Sequence, residues 1–178
     1  MIIKVIVILV IVLIFFIYQI YFKKFFKVKK VHSQLKGFLD VRDTLVLKLV
    51  PEINDDKMGE RIVKFIDERK ENFNTSYNNS IMSDIKLNRE LRKFYEKINE
   101  IKKNDVSNNI FSKIINLEKD LKKIRNEYNK VVESYNNNLV KHRFICLRII
   151  RMKPLDTYRI MGQWGMWTPL KWRKSKTL

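Results

Sequence analysis

The residues with reactive or ligating chemistry are few: one cysteine, Cys146, and two histidines, His32 and His142. A nucleophilic thiol needs a base beside it. The flanks of Cys146 (Phe144, Ile145 and Leu147) are apolar instead, the setting of a buried, inert thiol. Two histidines far apart in sequence give no zinc-ligand spacing, and a lone cysteine forms no internal disulfide. With no convergent acid, base, nucleophile or metal cluster, the expectation is a non-enzyme without cofactor or metal.

Other polar side chains draw interest from the apolar patterns around them. Arg42 fills the one seam position that is not apolar among Val28, Val31, Leu35, Phe38, Leu45 and Leu49. Such an arginine pairs with an acid on a facing helix or snorkels out. Tyr128-Asn129 recurs seven residues later as Tyr135-Asn136, so on a helix both tyrosines share one face, where rings pack and hydroxyls reach polar partners. Core packing, with the asparagines bonded to a neighbouring helix, is the simpler reading; a ligand or partner groove is the alternative. Glu118 and Arg125 are also seven apart, about 10.5 Å along a helix axis, which predicts no direct pair between them.

The elements that must position these residues are helical. Ile2 to Phe22 is apolar except for Lys4, Tyr18, Gln19 and Tyr21. As a helix it spans about 31 Å, the thickness of a hydrocarbon core. Lysines follow it directly and the chain has no alanine for an A-x-A cleavage site, so an uncleaved anchor is expected rather than a signal peptide. Beyond it, apolar spacings of three and four predict helix A over the Arg42 seam. Pro51 and Asn54-Asp55-Asp56 should end it. Helix B is expected over about 57–73, the Asn- and Ser-rich stretch 74–80 as a turn, and helix C from Ile85 to Ile101. Helix D should run from Ile110 to Leu139, with Ser107 as its N-cap. Short connections make successive helices antiparallel. The fold class expected is all-α: a transmembrane helix (1–22), an up-and-down four-helix bundle (23–158) and a basic, Trp-rich tail (159–178).

By helix D the chain resembles the LemA family of bacterial membrane-anchored helical proteins. The resemblance rests on Glu118, Leu121, Arg125, Tyr128-Asn129, Val132, Tyr135-Asn136 and Leu139, and on Ser33-Gln34-Leu35 followed by Arg42 and Leu45. Glu60, Arg69, Lys153-Pro154 and Tyr158 extend it, while His32, Leu47 and His142-Arg143 depart from the family pattern. It implies an N-terminal anchor and a cytoplasmic helical bundle, with no established biochemical activity.

Charge narrows the partner class. The net charge is +18, which suits nucleic acid or an anionic membrane. Residues 23–42 carry seven Lys/Arg against Asp40 alone, and 141–178 carry ten against Asp156 alone. An excess of lysine after the span places the domain in the cytoplasm and the N-terminus outside. An up-and-down topology returns both basic ends to the bilayer, where each cation near anionic lipid contributes about 1 kcal/mol. Membrane-surface contacts are therefore expected at Lys23, Lys24, Lys27, Lys29, Lys30, Arg143, Arg148, Arg151 and Lys153, and at Trp164, Trp167 and Trp172 of the tail. The tail lying over the bundle is the alternative for its aromatics. The functional expectation is a membrane-tethered scaffold or adaptor in contact with anionic lipids, a membrane-anchored nucleic-acid binder being the alternative. If helix D ends near Ile150 at the height where helix A begins, facing residues have numbers summing to roughly 174 at equal helical rise. His32 would then lie level with His142, and Arg42 level with Val132, with Glu133 as its acid.

Overall fold

The computed structural model describes residues 2–53, 55–100, 105–142 and 152–158. Among the described residues the architecture is helical: one long N-terminal helix followed by three more. Helix α1 (Ile2–Leu49) is continuous from the apolar segment through the Arg42 seam, and a single 3-10 turn, Val50–Glu52, follows it. The expected anchor and helix A are thus one element, because no proline or glycine interrupts residues 2–36. Pro51 lies in the 3-10 turn, where its ring blocks further α-helix. Part of α1 is long and apolar enough to cross a membrane.

Helix α2 (Asp56–Thr75) starts where the side chain of Asp55 accepts a hydrogen bond from the Met58 amide, an N-cap that satisfies one of the first-turn donors. Gly59, at its start, lets the helix approach Val50: a Cβ there would meet Val50 Cγ1 at 3.0 Å. Helix α3 (Tyr77–Glu100) begins earlier than expected, and the turn shrinks to Ser76. Asparagine, serine and threonine in this stretch cap helix ends rather than form a loop. Thr75 Oγ1 donates to the Asn72 carbonyl, and Ser76 Oγ accepts from the Asn79 amide. Helix α4 (Asp105–Lys141) also starts early, so Ser107 is a buried helical residue and not the N-cap.

Helices α1 and α4 run antiparallel. Phe25 meets Tyr135, His32 meets Tyr128, and Arg42 meets Glu118. The facing numbers sum to about 160, not 174, so each α1 residue faces an α4 residue about 14 positions, or roughly 21 Å, from the expected one. His32 is level with Tyr128 and not with His142, and Arg42 is level with Glu118 and not with Val132 or Glu133. The correction has a physical source. The expected register was set by flanking lysines, which bond adaptably to water, whereas the true one is set by buried charges that tolerate no slip. A 152–158 segment of extended chain closes the described structure.

Two apolar clusters make up the core. The one nearer the apolar end of α1 is rich in aromatic side chains, including Tyr21, Phe73, Tyr128, Tyr135 and Tyr158. The far one is mainly aliphatic, with Val46, Leu49, Ile62, Ile66, Leu87 and Leu91.

Candidate functional site: a buried ionic layer and a C-terminal strap

Between the two clusters lies a layer of charge contributed by all four helices. Arg42 is fully buried. Its Nε donates to Asp43 Oδ1 at 3.1 Å, Nη2 to Asp84 Oδ1 at 3.0 Å, and Nη1 to Asn88 Oδ1 at 2.7 Å. Arg69, equally buried, donates through Nε to Asp43 Oδ2 at 2.6 Å and through Nη2 to Asp40 at 2.7 Å. Arg125 donates to Asp84 Oδ2 at 3.0 Å and to Asn88 at 3.2 Å. Glu118 completes the ring, 3.6 Å from Arg125 and 3.9 Å from Arg42.

The expectation of no Glu118–Arg125 contact is corrected here: two long side chains reach toward each other and close most of the axial gap between their backbones. The acids of Arg42 come from α3 and from its own neighbour, Asp43, together with Glu118, instead of Glu133. Asp84 and Asn88 are not singled out in the sequence, and Arg69 enters only through the family resemblance, although a signal exists. Arg69 falls on the stripe Ile62, Ile66, Phe73, and Asp84 on the stripe Ile81, Leu87, Leu91, both as polar breaks in helical periodicity.

Three arginines face four carboxylates, so the buried charge is nearly balanced. Burial opposes ionisation of Arg42, but Asp84, Asp43 and Glu118 outweigh it and hold the guanidinium firmly charged. Burial likewise works against Asp84, yet Arg42 and Arg125 pull its carboxyl below the usual carboxylate value. Every oxygen of Asp43 and Asp84 accepts from an arginine. Asp84 is thereby a poor proton acceptor, whereas at Asp43 burial outweighs Arg42 and Arg69 and raises the pKa; the arrangement acts to fix helix positions.

Ten residues before Arg42, burial is handled without charge. His32 stacks on Phe73 (centroids 4.2 Å apart) and lies against Tyr77 and Tyr128. Its Nε2 is 2.9 Å from Ser80 Oγ, whose single proton goes to the Tyr77 carbonyl at 2.7 Å. The histidine must therefore donate from Nε2. Burial, helped by Lys36, lowers its pKa to about 4, so the ring is neutral.

The tyrosines of the two Tyr-Asn steps pack in the core against α1, Tyr128 beside His32 and Tyr135 beside Phe25, but the asparagines do not bond a neighbouring helix. They hold the extended strap 152–158 against α4. Asn136 donates to the Leu155 carbonyl at 2.7 Å and accepts from the Leu155 amide at 3.0 Å, a two-point bracket that an adjacent strand would otherwise supply. Tyr135 donates to the Lys153 carbonyl, and Asn129 donates to the carbonyl of Tyr158. The Tyr158 ring packs edge-on to Tyr128 and lies 5.8 Å from the Arg125 guanidinium, so the strap ends against the ionic layer. From α3, Asn78 accepts the Asp156 amide at 3.0 Å. Successive partners on α4 fall from 136 to 129 as the strap rises from 155 to 158, so it runs away from the apolar end of α1.

Of the expected membrane-surface residues, Lys23, Lys27, Lys29, Lys30 and Lys153 are exposed. Lys24 is half-buried, with Nζ donating to Ser134 at 3.4 Å. Arg143, Arg148, Arg151, Trp164, Trp167 and Trp172 lie outside the described residues, as do Cys146 and the expected helix end at Ile150. Among the described residues no group of three His, Cys, Asp or Glu is placed to hold a metal ion. No family model, curated protein or solved structure matches the chain.

Proposed function

We propose that this protein is a membrane-tethered scaffold of the LemA type, in which a single-pass anchor holds a four-helix, up-and-down bundle at the cytoplasmic face, without catalytic activity. The observation that carries the reading is the continuity of α1. One helix presents apolar side chains outward over its first turns, including Ile6, Leu9, Leu13 and Phe16, and then buries its apolar stripe from Val28 to Leu49 in the helical core. A helix without a break transmits position, so the bundle stands at a fixed height and angle on its anchor. The ionic layer suits a scaffold, since it fixes helix register and leaves its carboxylates engaged. The Tyr-Asn steps, which carry the family resemblance, have a structural task here as the bracket for the strap.

Contact with anionic lipid headgroups is assigned to the exposed lysines 23, 27, 29 and 30. Each contributes about 1 kcal/mol while within a Debye length of roughly 8–10 Å. Orientation and location are tested together by cysteine labelling of the full chain in a Cys146→Ser background. An Ile115→Cys residue, exposed on α4, should react with a membrane-impermeant maleimide only after the cells are permeabilised, and the protein should resist alkaline extraction. Labelling in intact cells would reverse the orientation, and extraction at alkaline pH would remove the tether.

A further inference from the structure

The register of α1 against α4 decides what the end of α4 touches. Resting on the membrane-tether reading, we infer that the last turn of α4, residues 138–142, is itself a lipid-binding surface, seated at the boundary between acyl chains and phosphate headgroups beside the anchor.

Three observations meet at this turn. The Tyr21 hydroxyl donates to the Asn138 carbonyl, and the Tyr21 ring lies 6.1 Å from that of His142. With facing numbers summing to about 160, Lys141 and His142 stand level with residues 18 and 19 of α1. The outward face of α1 is apolar around that height: Phe15, Phe16, Tyr18, Ile20 and Phe22 are all exposed, and the next lysine along the helix is Lys23. The polar boundary of the span therefore falls between Phe22 and Lys23. The end of α4 lies up to about five residues, or roughly 7 Å, on its apolar side.

The surface of α4 fits that depth. Val140 is 54% exposed, an apolar side chain that suits acyl-chain contact, and Lys141 and His142 flank it in the open. A lysine there keeps its stem among acyl chains and extends its ammonium to the phosphates. Helix ends are costly near hydrocarbon because their last carbonyls lack partners. The Asn138 carbonyl accepts the His142 amide within the helix and the Tyr21 hydroxyl as well, which ties this last turn to the anchor.

The test places one spin label at a time on the full chain, in a Cys146→Ser background, in bilayers of zwitterionic and anionic phospholipid. Labels go at Val140→Cys, Ser134→Cys and Ile115→Cys along α4, and at Leu9→Cys in the span. Relative accessibility to oxygen and to a water-soluble nickel chelate reports depth. The expected result is a several-fold higher oxygen-to-nickel ratio at 140 than at 115, with 134 between them and Leu9 highest. A ratio at 140 equal to that at 115, with Leu9 still deep, overturns the inference and spares the tether. A water-exposed Leu9 overturns both. Four positions, all exposed in the fold, guard against one label disturbing the structure.

Discussion

Two buried polar sites sit ten residues apart on α1 and are built in opposite ways. At His32 the polar group is neutral, wrapped by Phe73, Tyr77 and Tyr128 and satisfied by one serine hydroxyl. At Arg42 it is charged, and the fold answers with three further charged residues in contact and more in the same layer. The difference teaches which site specifies the arrangement of helices. An aromatic pocket tolerates small shifts, since ring contacts weaken gradually. A buried guanidinium tolerates none, because a lost partner leaves an uncompensated charge. The ionic layer is therefore the register pin of the molecule, and the aromatic end is packing around it.

The largest effect that would separate the two sites is expected from Asp84→Ala. It strips Arg42 and Arg125 of a shared partner and should cost about 3–5 kcal/mol in stability, read by chemical denaturation in mild detergent. A loss under 1 kcal/mol would mean that the layer does not pin the helices.

The next effect belongs to the aromatic site and is pH-dependent. The folded pKa of His32 is lowered from 6.5 to about 4. Its contribution is thus complete above pH 6.5 and is lost as pH falls, reaching about 3 kcal/mol of destabilisation by pH 4. His32→Phe should remove the His32 share of that slope with little change at pH 7. Asp84, whose folded pKa is depressed below 3.8, contributes above that value and loses its contribution only at lower pH. His32 and Asp84 therefore titrate in separate windows, while Asp43, raised by burial, titrates above Asp84. A His32→Phe protein with an unchanged slope between pH 6.5 and 4 would refute the assignment.

Smaller effects attend the strap. Asn136→Ala removes both bonds to Leu155 and should open residues 153–158 by about 1–3 kcal/mol, seen as faster amide exchange there and not in α2. Smallest of all is Tyr158→Phe. Its hydroxyl, like that of Tyr128, is buried with no partner among the described residues, so the change should be neutral or slightly stabilising. A loss above 1 kcal/mol would show that the hydroxyl is bonded after all.

Much of this architecture is legible in the sequence, and the failures at the ionic layer and in the register share one cause. Apolar spacing locates all four helices, because Leu35, Ile62, Leu91 and Leu121 each sit on a stripe that only a helix can bury. Arg42 announces itself as a charge on such a stripe. Its acids do not, because Asp84 lies just before the first apolar residue that marks helix C, Ile85, and shows as a break in the α3 stripe only once that helix is known to begin at Tyr77. Reading polar breaks on all helices together, Arg42 with Arg69 and Asp84, gives the layer, and the layer gives the register. The bracket at Asn129 and Asn136 could not be read this way, since its partners are backbone groups of an extended segment with no periodicity of its own.

The central claim, that buried charge sets α4 against α1 with facing numbers near 160, is tested most directly by crosslinking. In a Cys146→Ser background Ser134→Cys is paired either with Lys24→Cys or with Phe38→Cys, two α1 positions about four turns apart on nearly the same face. Lys24 and Ser134 touch through their side chains, so a short bis-maleimide should join the 24/134 pair in high yield and leave 38/134 unreacted. Efficient crosslinking of 38/134 with none at 24/134 would contradict the account, for it would restore the register of about 174 and take the end of α4 away from the anchor.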